Sequence, residues 1–210
     1  MDEETEHDGN KVREPRERKP RERKLPRKVT RSHLENVALH HLERFASSSQ
    51  NLKEVLLRRV QRSAFHHDTD PEEGAVWADE IIVRFLDVGL LDDKAYADGR
   101  VRSLHGRGNS RNAIRMKLRA KGVETDLVDD VLAAIGNEEN EDVDLTAAKR
   151  FAKRRRLGPY RESSQREERR EKDMAALARA GFSYHIARTV VEADGLNTSY
   201  HDYNAEDDAF

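Results

Sequence analysis

Apolar side chains recur along this chain every third or fourth residue. Leu34, Ala38, Leu42 and Phe45 fall on one stripe, Leu52, Leu56 and Val60 on a second, and Trp77, Ile81, Ile82, Phe85 and Leu86 on a third. Leu127, Val128, Val131, Leu132 and Ile135 form another, and Ile186, Ala187, Val190 and Val191 the last. Spacing of this kind puts the apolar groups on one side of an α-helix. No run of alternating β-branched residues bounded by hairpin turns competes with it. The predicted fold is all-α.

Polar punctuation sets the helix ends. Ser32-His33-Leu34-Glu35 reads as a capping box, in which the serine accepts from a free amide and the glutamate reaches back. Asp70-Pro71-Glu72-Glu73 combines a capping carboxylate, a proline suited to the first turn and two acids at the positive end of the helix dipole. Ser110, Ser164 (with Glu167) and Ser183 are further candidate caps. Gly89, Gly108, Gly122, Gly136, Gly181 and Gly195 are candidate stops, each able to turn left-handed after a last helical turn.

These signals predict about nine helices in three sets of three: roughly 31–46, 51–65 and 71–88; 92–106, 110–121 and 125–135; 144–156, 165–180 and 183–193. The sets resemble one another. Lys121-Gly122-Val123 ends the second helix of one set as Ala180-Gly181-Phe182 ends that of the next. Set one has the same layout, with His66-His67-Asp68-Thr69-Asp70 inserted at the corresponding turn. One three-helix set buries little surface, whereas stacked sets make a longer core. The expected organisation is a basic arm over 1–30, three-helix repeats over 31–90, 91–140 and 141–193, and an acidic tail over 194–210, in an elongated, curved molecule.

Composition agrees with a thin fold. Of 210 residues, 38% are charged and 36% hydrophobic, and mean hydropathy is −0.96, so one deep core for the whole chain is excluded. No apolar run is long enough for a membrane span, and no secretory signal follows the N-terminus. The absence of cysteine removes disulfides, thiolate catalysis and Cys-based zinc sites, and fits a cytoplasmic location.

The net charge of −2 conceals segregation along the chain. Residues 11–31 hold eleven Lys+Arg against three Glu, with three prolines, and such a segment cannot bury enough surface to offset ordering. Residues 1–30 are expected to be disordered, either as a solubilising tail or as an arm that finds polyanions. Residues 100–121 carry Arg100, Arg102, Arg107, Arg111, Arg115, Lys117, Arg119 and Lys121 with no acid. Residues 122–146 reverse sign, with nine acids and no Lys or Arg; 147–172 return to basic, eleven against four, including Arg150, Lys153 and Arg154. From Glu192 onward there are six acids and no Lys or Arg. An acid-free basic run inside a folded region suggests a surface facing something anionic.

The run Val88-Gly89-Leu90-Leu91-Asp92-Asp93-Lys94-Ala95-Tyr96-Ala97 resembles the signature of the RecX family. The continuation agrees: Gly108, Arg111, Ile114, Leu118, Lys121, Gly122 and Val123 fall where that family has a glycine, a basic residue, spaced aliphatics and a terminal basic-Gly-hydrophobic. Arg179-Ala180-Gly181-Phe182-Ser183 and Ile186 match its ending, so the resemblance covers about residues 31–193. The long basic arm and the His/Asp insertion depart from the family pattern. The resemblance implies three tandem three-helix repeats that regulate the RecA recombinase. RecX-like proteins bind the RecA–single-stranded DNA filament and inhibit its growth and dependent activities, without catalysis of their own. A monomer contacting single-stranded DNA weakly and without sequence preference fits that role. In the signature, Gly89, Leu90, Leu91, Asp92, Asp93, Tyr96, Ala97 and Gly122 are expected to be architectural: Gly89 ends one helix, Asp92 or Asp93 caps the next, and Leu90, Leu91 and Tyr96 join two sets.

Candidate contacts to RecA or DNA are Arg100, Arg102, Arg107, Arg111, Arg115, Lys117, Arg119, Lys121, Arg150, Lys153 and Arg154. On the helix 110–121, Ile114 and Leu118 face inward, Arg111, Arg115 and Arg119 run up one flank, and Lys117 and Lys121 up the other. These rims suit phosphate oxygens, or they pair with Glu124, Asp126, Asp129 and Asp130 of the next helix. Aromatic interleaving is thin, with Tyr96 alone near the run and better suited to core packing, so any DNA contact is expected to be electrostatic. His66, His67, Asp68 and Asp70 lack metal-ligand spacing, and His40-His41 puts one ring on each face. Gly106-Arg107-Gly108 lacks the ending of a phosphate-binding loop, and no nucleophile motif is present. The sequence therefore predicts a regulator rather than an enzyme, with no metal and no cofactor. A nonspecific nucleic-acid-binding helical module and a helical adaptor for another acidic protein are the alternatives.

Overall fold

The computed structural model describes residues 25–139 and 142–193, and these contain nine α-helices, one 3-10 turn and no strand. Set one is α1 (Arg31–Arg44), α2 (Ser49–His66) and α3 (Pro71–Asp87). Set two is α4 (Asp93–Gly106), α5 (Arg111–Arg119) and α6 (Thr125–Glu139). Set three is α7 (Val143–Arg155), the 3-10 turn Gly158–Tyr160, α8 (Ser163–Arg179) and α9 (Tyr184–Val191). Within each set every helix packs on the other two.

Three separate cores result. Leu34, Ala38, Leu52, Leu56, Val60, Ala78, Ile81, Ile82 and Phe85 form the first. Ala97, Val101, Leu104, Ile114, Leu118, Val123, Val128, Val131, Leu132 and Ile135 form the second. Ala147, Ala148, Ala152, Leu157, Leu177, Phe182, Ala187 and Val190 form the third. Each of the first two borrows a residue that leads into the next set: Leu91 in the first core, Val143 in the second. The stripes read from the sequence are the buried faces, with two exceptions. Phe45, at the C-cap of α1, is 56% exposed, and Leu86 is 42% exposed although Phe85 beside it is buried.

Several caps fall where the residues put them. Asp70 accepts from the Glu72 amide, Asp92 from Ala95, Ser110 from Ala113 and Ser183 from Ile186. Gly89, Gly108, Gly122 and Gly181 take positive φ of 72°, 72°, 70° and 90° after their helices.

Other boundaries move. The cap of α1 is Thr30, accepting from His33, and the Glu35 carboxylate is drawn sideways to Arg84, so no capping box forms at Ser32. Helix α8 begins at Ser163, and its start is fixed by tertiary bonds instead of a Ser164 cap. There Arg166 donates to the carbonyls of Pro159 and Arg161, while buried Asp173 accepts from Gly158 N–H (2.8 Å) and Arg161 (2.9 Å). Gly136 lies inside α6; the helix continues to Glu139, with Glu138 of its last turn gripped by Arg102. Residues 25–30, expected within a disordered arm, are placed. Val29 is buried in the first core and its N–H donates to Ser63 Oγ at 2.9 Å. Residues 1–24 and 194–210, including Gly195, lie outside the described residues.

Candidate functional site

The basic residues must be read against the joints between sets, because those joints decide which of them meet. At the first joint the Ser48 hydroxyl donates to the Lys121 carbonyl, and Asp93 accepts from the Ser49 N–H (2.7 Å) and hydroxyl (2.5 Å). Lys121 Nζ donates to Asn51 Oδ1 at 3.1 Å. At the second joint the Ser110 hydroxyl donates to the Ala180 carbonyl (2.8 Å) and Asp144 accepts from the Arg111 N–H (2.7 Å). The device is the same twice: a capping serine points its proton at the far end of the next set's second helix, and an acid from that set's first helix takes the adjoining amide. Helix α5 thus runs from one joint to the other.

The second joint is the more extensive. Helix α7 packs against α4 and α6, His105 Nε2 meets the Val143 carbonyl at 3.0 Å, and Arg150 donates to His105 Nδ1 at 3.1 Å. The loop after α4 lies directly on α7: a Cβ on Gly108 would stand 2.6 Å from the Phe151 amide nitrogen and 2.8 Å from the Ala147 carbonyl oxygen. Lys117 Nζ reaches back over that loop to Asn109 Oδ1 at 2.5 Å. The acid-free run of 100–121 and the basic run from 147 are therefore brought together. Arg154 and Arg155 sit over the Phe151 ring, 5.9 and 5.5 Å from its centroid, and Phe151 packs edge-on against Phe182.

The sequence candidates divide into two groups. Arg102 donates to Asp98 and, through both terminal nitrogens, to Glu138 (2.7 and 2.9 Å). These bonds raise the pKa of Arg102 further and hold the Glu138 carboxyl below its ordinary range. Arg115 pairs with Asp129 at 2.6 Å, as the reading of mutual compensation expected for this rim. Arg111 is half-buried at the second joint, its Nε enclosed without a hydrogen-bond partner. Arg100, Arg107, Lys117, Arg119, Lys153 and Arg154 are exposed and have no carboxylate partner among the described residues. Arg155, which the sequence reading passed over, belongs with Arg154 because both flank one ring. The neighbouring Phe151 was the available signal.

The signature residues also separate. Asp92 caps α4, whereas Asp93 closes the first joint. Leu91 is buried in the first core, but Leu90 is 52% exposed and joins nothing, since the turn after Gly89 points it outward. Tyr96 packs half-buried on the second core beside Ala97. Gly122 faces Gln50, whose Cβ and Cγ would lie 2.3 Å from any added Cβ. Among the described residues, no three metal-type side chains converge, and no helix is long and apolar enough to cross a membrane. His67, from the inserted turn, is occupied with the Pro26 carbonyl at 2.6 Å.

Fold and surface define a class: an all-helical protein of stacked three-helix units with exposed cations on both sides of one joint. Residues 92–132 match the family model described as RecX, second three-helix domain. The Regulatory protein RecX of Myxococcus xanthus (strain DK1622) is 42% identical over 181 residues, covering 86% of this chain and 95% of that one. The Regulatory protein RecX of Agrobacterium fabrum is 31% identical over 156 residues, 74% of this chain and 80% of the relative. The chain belongs to the RecX family. Two solved structures share its fold. A crystal structure of regulatory protein RecX superposes with a TM-score of 0.55 at 24% identity, covering 76% of this chain and 70% of that one. RecX from Lactobacillus salivarius gives 0.51 at 20%, covering 77% and 94%.

Proposed function

We propose that this protein is a monomeric cytoplasmic regulator that binds the RecA–single-stranded DNA filament and restrains RecA, with no chemistry of its own. Family membership supports the regulatory role. The observation that carries the mode of binding is the second joint, where Arg107 and Lys117 from set two lie by the loop that rests on α7, near Arg154 and Arg155 of set three. Exposed cations without carboxylate partners suit the phosphate oxygens of a single strand or an acidic groove of the recombinase. Single-strand contact of this kind is insensitive to sequence, and its salt slope counts the phosphates neutralised, at ~0.7 per phosphate.

The test replaces Arg107, Lys117 and Arg154 by Ala in the full chain. Inhibition of RecA-dependent strand exchange should weaken, helical circular dichroism should stay unchanged, and the salt slope for single-stranded DNA should flatten by up to ~2. A matched variant, Arg102→Ala with Arg115→Ala, removes cations already held by Asp98, Glu138 and Asp129, and should inhibit nearly as the parent does. Equal loss in both variants would defeat the assignment. Co-sedimentation separates the partner classes: a filament regulator sediments with RecA on single-stranded DNA far better than with free DNA, and the reverse result would favour a plain nucleic-acid-binding module.

A further inference from the structure

Among the described residues, no helix covers the outward face of α3. Its flanks are tied to α1 by Arg31–Glu80 (2.9 Å) and Glu35–Arg84, and to α2 by Lys53–Asp79. Between those ties Val76 and Val83 stand 55% and 57% exposed, in a shallow groove walled by Asp79, Glu80, Arg84 and Asp87. Residues 68–87 hold seven carboxylates and one arginine. Of these, Glu72, Glu73 and Asp87 are exposed and make no ion pair among the described residues.

The chain itself carries a segment of the opposite character. Residues 11–24 hold eight Lys+Arg against three Glu, with Pro15 and Pro20 and a single apolar side chain, Val12. The root of this segment is fixed at the C-terminal end of α2, which leads by a short turn into α3. His67 holds the Pro26 carbonyl at 2.6 Å and Ser63 holds the Val29 amide at 2.9 Å, and His67 precedes Pro71 by one short turn. Fourteen residues in polyproline geometry span about 43 Å. The 17 residues of α3 span about 25 Å. The segment is long enough to cover the whole helix.

We propose that residues 11–24 dock lengthwise on the outward face of α3, entering at Glu72 and Glu73 and ending beside Asp87. The guanidinium and ammonium groups meet the carboxylates, while proline rings and the methylene stems of Arg and Lys lie over Val76 and Val83. Each exposed pair is weak, but the tether supplies an effective concentration in the millimolar range, so weak contacts are enough to populate the docked state. The same contacts loosen as salt rises. Docking engages the arm's charge within the chain, so a polyanion must displace it before the arm can bind elsewhere.

The chain has no cysteine, so a nitroxide attached at Asn10→Cys in the full-length protein reports from one place. Relaxation of backbone amide signals is then read along α3. A docked arm puts the label beside the far end of the helix, and the amides of Val83, Arg84 and Asp87 lose the most intensity, more than Glu72 and Glu73. High salt, or the substitutions Glu72→Gln, Glu73→Gln, Asp87→Asn and Val83→Ser made together, should abolish that excess. An undocked arm gives the opposite gradient, strongest at Glu72 and Glu73 next to the root, and this result at low salt overturns the proposal. So does a maximum on the acidic face of α6. Mixing labelled protein with isotope-enriched unlabelled protein completes the test: losses at Asp87 arising only between molecules would place the arm on a second copy and overturn docking within the chain.

Discussion

Ser48 and Ser110 each use one hydroxyl twice. The oxygen accepts an amide of its own helix, from Asn51 and Ala113, while the proton is donated to a carbonyl of the next set. A hydroxyl has the lone pairs and the proton for both on one atom; an ionised Asp cap could only accept, and an Asn cap would need its separate NH2 to reach the carbonyl. The glycines differ just as sharply from one another. Gly89 and Gly108 both sit at φ 72°, but nothing lies within 4 Å of a Cβ at Gly89, whereas Gly108 faces the α7 backbone at 2.6 Å. Gly89→Ala should cost only the left-handed conformation, ~1–2 kcal/mol. Gly108→Ala should cost clearly more, because backbone cannot swing aside as a side chain can. Urea unfolding of the two variants checks the order, and equal losses would mean that the close approach to α7 is relaxed elsewhere.

At the scale of elements, helices are held by their stripes and set lengths by neighbours. Leu91 and Leu90 are adjacent, yet Leu91 is 3% exposed in the first core and Leu90 is 52% exposed. Leu91→Ala should destabilise by ~2–5 kcal/mol, the range for emptying a buried leucine site. Leu90→Ala should stay within about 0.5 kcal/mol, as surface changes do. Thermal melting of the pair decides it, and matching melts would show that the turn after Gly89 does not orient the two side chains as described. Element existence was legible from periodicity together with caps and glycine stops. The cap of α1 and the last turn of α6 were not, because Arg84 takes Glu35 and Arg102 takes Glu138, and both partners come from other helices.

Across the whole molecule the two joints are unequal. Helix packing reinforces the second, while the first depends largely on Ser48, Ser49, Asp93 and Lys121. His41 lies close to this weaker joint. Burial, then the nearby charges of Arg58 and Lys121, push its pKa down from the ordinary 6.5, and its Nε2 is enclosed without a partner. A histidine with a lowered folded pKa contributes stability above the unfolded value; that contribution is lost as pH falls from 6.5 through the folded pKa. The urea midpoint should therefore drop as the solution is acidified below that point. His41→Phe should remove that part of the dependence; an unchanged pH profile in the variant would place the effect on other groups.

The sequence by itself determined the helices, their grouping in threes, the sign of each surface segment and the family. The first three follow from spacing, capping chemistry and charge along the chain, all of which are local; the family follows from the resemblance of the run Val88 to Ala97 and its continuation to a known signature. Tertiary structure decided which cations are available. Arg115 is indistinguishable from Arg119 by type or spacing, and only the approach of Asp129 sets it apart; Arg102 has Asp98 one turn away, but Glu138 reaches it from another helix. It also decided that Arg107 and Lys117 meet the Phe151 region, because Gly108 lets one backbone rest directly on another. A contact between residues some forty positions apart depends on where the helices pack, and periodicity along one helix carries no information about the next.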